Sequence, residues 1–137
     1  MYCHYLYRSA THLKTGDPDV ARIYALAQSR NEIFSVTGCL HHEDGVFYQW
    51  IEGPSRDLEM IMSLIISDRR HHNIEILSSG PSKYHYFEGW SMAAPASDKE
   101  SLFDFLTECG ISRYQGDGFS KGIRRYMSKF AGRLSTD

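Results

Sequence analysis

Apolar and polar positions alternate with period two at the start of the chain. Between Tyr2 and Ser9, the residues Tyr5, Tyr7 and Ser9 share one face, which predicts a first strand rich in tyrosine. Asp17-Pro18-Asp19 predicts a helix start, with Asp17 as cap, Pro18 in the first helical position and Asp19 at the positive end of the dipole. That helix is expected to run to about Arg30 with Val20, Ile23, Leu26 and Ala27 inward. Val36–His42 and Val46–Ile51 read as two strands joined through Glu43-Asp44-Gly45, where Asp-Gly is a hairpin signal. Gly53-Pro54-Ser55 ends the second of them and opens a helix. In it Leu58, Ile61, Met62, Ile65 and Ile66 fall at i, i+3, i+4, i+7 and i+8, one apolar stripe. Asn73–Leu77 reads as a fourth strand, and Tyr84–Ala93 as a turn and a fifth.

The order β-α-β-β-α-β plus one strand predicts an α+β fold, a ferredoxin-like sheet with an extra strand and two helices on one face. Residues 1–95 are expected to form this domain. Ala94-Pro95-Ala96-Ser97 reads as a linker, and 96–137 as a C-terminal helical extension packed on the domain. Its first helix, Asp98–Glu108, carries Leu102, Phe105 and Leu106. Its second, about Phe119–Leu134, places Ile123, Tyr126, Met127, Phe130 and Leu134 on one stripe. That stripe can cover the free face of the sheet or form a homodimer; covering its own sheet is the more economical, because a monomer then buries it.

A length of 137 residues with 42% hydrophobic positions suits one domain with a core of its own. The formal charge of −2 gives no general attraction to phosphate backbones, so a nucleic-acid partner is not expected. Cys3, Cys39 and Cys109 are odd in number and far apart, which points away from a disulfide framework and toward a reduced, cytoplasmic setting. The start Met1-Tyr2-Cys3-His4 has no basic stretch leading into an apolar run. The longest apolar run, Met60–Ile66, is broken by Ser63 and too short for a bilayer, so no membrane association is expected.

Candidate chemistry concentrates on the third strand. Alternation puts Phe47, Gln49 and Ile51 on one face and Val46, Tyr48 and Trp50 on the other. Gln49 thus sits between apolar neighbours, and a buried amide without partners costs roughly 1–3 kcal/mol. It is either satisfied by backbone and water or meets a ligand. Asn31 is either a C-terminal helix cap or a reader of a ligand's carbonyl and ring N–H. Tyr7 is either a core tyrosine or an electron and proton donor. Asp68-Arg69-Arg70-His71-His72 is either a solvated cationic helix end or a partner for a phosphate. His41 and His42 are adjacent on a strand and point to opposite faces, and neither H-E-x-x-H nor a Cys/His cluster accompanies them or His71-His72, so no metal site is expected. G-x-S-x-G, Walker and G-x-G-x-x-G motifs are absent, which speaks against an enzyme.

Five segments in register resemble the BLUF family, sensors of blue light that use flavin. Tyr5-Leu6-Tyr7-Arg8-Ser9 is similar to its Y-x-S start, and Asn31 followed by Val36-Thr37-Gly38 to its N-x-x-x-x-[IVL]-T-G segment. Phe47-Tyr48-Gln49-Trp50-Ile51-Glu52-Gly53-Pro54 resembles F-x-Q-x-[IL]-E-G-P. Asp68-Arg69-Arg70-His71 matches D-x-R-H, and Phe87-Glu88-Gly89-Trp90-Ser91-Met92 matches F-x-x-W-x-M. The resemblance covers residues 1–95. It implies a flavin, FAD with FMN or riboflavin as alternatives, between the two helices on the helical face of the sheet. Tyr7 would then be the photo-oxidised donor of an electron and a proton, and Gln49 the amide that switches hydrogen bonds. Asn31 and Arg30 would lie at the ring's polar edge, with Ile23, Ile65 and Ile66 against its faces. Ser9, Phe47, Asp68, Arg70 and His71 would complete the binding set, and Trp90 or Met92 would reach Gln49. The signal would pass through the fifth strand and the C-terminal helices to an unidentified protein partner. The competing readings are an acylphosphatase-type hydrolase, with Arg and Asn on a phosphate, and an RNA-binding module using Tyr48 and Trp50.

Overall fold

The computed structural model describes residues 1–94, 100–111 and 117–130, the last without the Phe130 side chain. In chain order these form β1 (Tyr2–Ala10), α1 (Pro18–Ile33), β2 (Thr37–Glu43), β3 (Val46–Pro54), α2 (Ser55–Ile66), β4 (His72–Pro81), α3 (Leu102–Glu108) and α4 (Asp117–Phe130). The linker from Pro95 to Ser97, the expected helix start at Asp98 and the stripe's end at Leu134 lie outside the described residues.

The strands make one sheet in the order β2-β3-β1-β4, with every neighbouring pair antiparallel. The β2–β3 hairpin turns through Asp44 and Gly45, whose φ angles of 50° and 74° are the left-handed pair that a two-residue turn of this twist needs. Asp17 caps α1 as its sequence predicts, accepting from the Asp19 N–H at 2.9 Å ahead of Pro18. Asn31 is no cap: the helix continues past it to Ile33 and closes at Phe34.

Alternation along β1 and β3 gives the sheet two apolar faces and therefore two cores. On the first, Tyr7, Phe47 and Ile51 pack with Leu58, Ile61, Met62 and Ile65 of α2. On the second, Leu6, Cys39 and Trp50 pack with Leu102 and Leu106 of α3 and Ile123, Tyr126 and Met127 of α4. The C-terminal helices thus cover the sheet's other face. Gly122 permits their close approach, since a Cβ there would lie 2.7 Å from Leu106 Cδ2. Glu43, at the end of β2, ties them to the hairpin by accepting the backbone N–H groups of Leu102 and Phe103 at 2.8 and 3.2 Å.

Four expectations are corrected. The segment 84–93 is not a regular fifth strand. It turns at Phe87–Trp90 around Gly89 (φ 87°) and meets β2 in a single parallel bridge, Cys39 with Ala93. Leu26, expected inward, is 55% exposed, because the inner side of α1 overhangs a cleft and buries only Ala27 and Asn31. Ile66 is 60% exposed: as the last residue of α2 it is turned roughly 100° from buried Ile65. α3 begins at Leu102 rather than Asp98, its cap being Ser101, which accepts from the Asp104 N–H at 3.0 Å.

Candidate functional site

The cleft under α1 measures about 430 Å³ with its open mouth. Tyr7 of β1, Leu40 of β2 and Phe47 and Gln49 of β3 form its floor. Ile23, Leu26, Ala27 and Arg30 of α1 line one wall, Ile65 of α2 the other, and Asp68, Arg70 and His71 the rim. Strand alternation places Tyr7, Phe47 and Gln49 on this side of the sheet, and the β1–β3 register sets Tyr7 directly opposite Gln49.

The Tyr7 hydroxyl donates to Gln49 Oε1. That bond orients the amide, so Gln49 Nε2 faces away, with the Met92 sulfur 3.9 Å from it. Tyr7 and Gln49 are 3% and 2% exposed, which leaves water no part in the pair. Burial pushes the Tyr7 phenol well above its ordinary value, against the pull of Arg30, so it stays protonated.

Asn31 is fully buried and donates its Nδ2 to the Ser91 carbonyl at 2.8 Å. A carbonyl can only accept, so the amide cannot be reversed, and Asn31 Oδ1 is left buried without a donor. The Arg30 Nε is likewise buried and unpartnered, and burial lowers that guanidinium's pKa. Arg70, by contrast, is engaged: its Nε lies 2.9 Å from Asp68 Oδ1 and its Nη2 2.5 Å from Asp68 Oδ2. This fork holds the Asp68 carboxyl below its usual range. His71 Nε2 donates to the Ile65 carbonyl at 2.8 Å, so in the neutral ring Nδ1 accepts from the Ser9 hydroxyl at 2.6 Å.

Of the residues expected from the sequence, Tyr7, Ile23, Arg30, Phe47, Gln49, Ile65, Asp68, Arg70 and His71 line the cleft. Ser9, Asn31 and Met92 are buried outside that lining: Ser9 bonds His71 at the rim, Asn31 bonds the Ser91 carbonyl, and the Met92 sulfur lies 3.9 Å from Gln49 Nε2. Ile66 and Trp90 do not join it. Trp90 is 37% exposed, and Met92 is the one that reaches Gln49. Sequence reasoning missed Leu40, which pairs across from Gln49, and Tyr24, whose hydroxyl donates to the Met92 carbonyl. A floor position on β2 was available from its alternation; a bond to a backbone carbonyl has no sequence signature.

Fold and cleft together define a ferredoxin-like ligand-binding domain, with an amide–phenol pair buried in its floor. The family model for BLUF, sensors of blue-light using FAD, matches residues 2–93, and the chain belongs to that family. It is similar over 133 residues, at 29% identity, to photoactivated adenylate cyclase subunit beta of Euglena gracilis; the match covers 95% of this chain and 15% of that protein. The chain therefore spans a small part of that relative's length. Among solved structures, BlsA in its photo-activated state superposes with a TM-score of 0.76 at 23% identity, covering 100% of this chain and 99% of that one, a likeness of fold. Klebsiella pneumoniae BlrP1 with FMN and cyclic diGMP matches at TM-score 0.64 and 29% identity, over 92% of this chain and 30% of that one.

The cleft's chemistry fits a flavin. The isoalloxazine ring is apolar on its faces, and Ile23, Ala27 and Ile65 offer apolar walls. Its edge carries carbonyl acceptors and one N–H donor. The orphaned Asn31 Oδ1 wants a donor, the orphaned Arg30 Nε wants an acceptor, and Gln49 Nε2 has only a sulfur. No helix among the described residues is long and apolar enough to cross a membrane.

Proposed function

We propose that this blue-light sensor works by a hydrogen-bond switch at Gln49, triggered through Tyr7. The observation that carries this reading is the Tyr7 bond to Gln49 Oε1, with Nε2 left to the weak Met92 sulfur. Bound flavin, FAD by the family's description or FMN or riboflavin with the same ring, supplies blue-light absorption and, once excited, an acceptor for one electron. Tyr7 would donate that electron and then its phenolic proton, both to the flavin, and take both back on recombination. While the proton is away, Gln49 Oε1 has lost the bond that fixes it, and the amide is free to reorient or change tautomer. When Tyr7 recovers its hydrogen, Gln49 holds a new set of bonds. Gln49 would then donate a stronger bond to the flavin's edge, which is expected to move the absorption to the red. Asn31 and Arg30 hold that edge, Ile23, Ala27 and Ile65 its faces, and Ser9, Phe47, Asp68, Arg70 and His71 the outer part of the site.

Re-pairing one hydrogen bond is worth about 0.5–1.5 kcal/mol, enough to bias only a nearly balanced element. Residues 92 and 93 supply one. Met92 is buried in the flavin-side core beside Gln49, and Ala93 in the opposite core with Leu102 and Tyr126. A shift of Met92 therefore pulls on the packing of α3 and α4, which present the output surface to a protein partner in the cytoplasm. The acylphosphatase-type alternative is weaker, because Arg70 is spent on Asp68 and the Asn31 amide on Ser91.

The test is the absorption spectrum of the purified, flavin-loaded chain. A yellow protein whose spectrum moves to the red under blue light and reverts in the dark is expected. A colourless protein, or a yellow one with no shift, would overturn the reading.

A further inference from the structure

The backbone from Trp90 to Ala93 runs between the free edge of β2 and the inner face of α1, and each of its four carbonyls meets a donor. The outer two pair with β2: Gly38 N–H donates to Trp90 at 3.1 Å and Leu40 N–H to Ala93 at 2.9 Å. The inner two pair with α1: Asn31 Nδ2 donates to Ser91 at 2.8 Å and the Tyr24 hydroxyl to Met92. Tyr24 and Asn31 are seven residues apart, two helical turns, and so share one face. The β2 bonds are backbone ladder bonds, made by no side chain. Those from α1 depend on two particular side chains.

We propose that Tyr24 is a positioning residue of the light switch, clamping with Asn31 the Ser91–Met92 backbone to α1 and so setting the Met92 thioether against Gln49. The inference rests on the reading of Gln49 as the switching amide. A thioether is a weak acceptor, and at 3.9 Å from Gln49 Nε2 it cannot hold the segment in place. Met92 must therefore be placed through its own backbone, whose carbonyl is the atom Tyr24 holds. Burial raises the Tyr24 phenol's pKa, so the donor is present at every ordinary pH. The same clamp links two signals: Asn31 stands at the site proposed for the ring's polar edge, and Tyr24 acts on the residue touching Gln49. When the amide reorients and Met92 moves, the Tyr24 bond is strained together with the neighbouring Ala93 bonds to β2. The clamp thus favours the dark arrangement and helps restore it.

The experiment is dark recovery after a blue pulse in the full-length, flavin-loaded chain, followed by absorption, for wild type, Tyr24→Phe, Met92→Leu and the double variant. Tyr24→Phe is expected to keep flavin and the red shift, since Tyr7 and Gln49 are untouched, but to recover roughly threefold to tenfold more slowly, the range one hydrogen bond carries. In the Met92→Leu background the same substitution should change recovery less than twofold, because the clamp acts through the thioether. Unchanged or faster recovery in Tyr24→Phe, or an equal effect in both backgrounds, overturns the inference while leaving the switch itself standing. Absence of a red shift in wild type overturns the switch and the clamp together. Hydrogen exchange on the wild type decides the matter should Tyr24→Phe lose its flavin. The Ala93 N–H, bonded to the Gly38 carbonyl at 2.8 Å, should exchange faster in the light, and equal exchange in light and dark counts against the clamp.

Discussion

Tyr7 and Gln49 face each other across the β1–β3 ladder as a directly opposed pair, and the phenol donates to the amide oxygen. Two adjacent antiparallel strands therefore supply donor and acceptor, and no loop has to be ordered to bring them together. The pair lies on the two central strands of the sheet, while the segment around Met92 is held by bonds from α1 and from the edge of β2.

Gln49→Leu should retain flavin and lose the light-induced red shift, and Tyr7→Phe should do the same. Each single substitution also leaves a buried partner unpaired, at about 1–3 kcal/mol. The double variant removes both partners and should cost clearly less than the sum of the two. Absorption spectra and urea unfolding of the four proteins check this; additive losses would mean that the two side chains do not depend on each other.

Glu52 is fully buried on the opposite face and collects four donors. Thr37 Oγ1 lies at 3.2 Å, Trp50 Nε1 at 2.9 Å, and the backbone N–H groups of Tyr86 and Phe87 at 3.1 and 2.8 Å. It thereby fastens the turn leading to Met92 onto β3. Glu52→Gln puts an NH2 where only acceptors fit and should lower stability by roughly 1.5–3 kcal/mol. An unchanged urea midpoint would show that the carboxylate is not what holds that turn.

Much of the trigger was legible in the sequence. Period-two alternation set Tyr7 with Tyr5 and Ser9, and Gln49 between Phe47 and Ile51, and the structure keeps both groupings on the flavin side. The amphipathic stripe of α2 was legible as far as Ile65. Tyr24 was not, because its role is a bond to a backbone carbonyl and its position breaks no helical pattern. Glu52 was visible only as part of a motif: its burial comes from residues 86–87 and from the helices folded over that face, contacts distant in the chain. Residues 84–93 read as a strand through their aromatics, yet Gly89 and the Phe87–Trp90 turn leave room for one bridge to β2.

Gly38 is where β2 carries that bridge. A Cβ on it would lie 2.0 Å from the Trp50 carbonyl oxygen, so Gly38→Ala must move backbone rather than a side chain. The Gly38 bonds to Trp90 and Ala93 would be lost with it. A destabilisation above about 3 kcal/mol is expected, read as a lowered urea midpoint or as protein that does not accumulate folded. A variant as stable as the wild type would mean that the edge tolerates a wider strand spacing than its packing implies.

Acid should loosen the C-terminal helices before it unfolds the sheet. Glu43 holds the start of α3 and lies 2.8 Å from His41 Nε2, while Tyr126 of α4 packs its ring edge-on 5.0 Å from the His41 ring. Burial lowers the His41 pKa from its ordinary 6.5, outweighing the pull of Glu43, so the folded protein keeps a neutral imidazole that donates to the carboxylate. Burial alone would raise the Glu43 carboxyl, but the bonds from His41, Leu102 and Phe103 reverse that and hold it below its ordinary 4.5. In both cases the unfolded chain binds the proton more readily than the folded one, so stability falls as pH falls. The His41 part is lost from pH 6.5 downward and the Glu43 part from 4.5 downward, each through the depressed folded value. His41→Gln keeps a donor to Glu43 but cannot titrate, so its thermal midpoint should decline less steeply than the wild type's where the wild type first falls, the remainder coming from His4, which burial also holds below 6.5. A variant whose midpoint falls as steeply as the wild type's between neutral pH and 4.5 would remove His41 from this account.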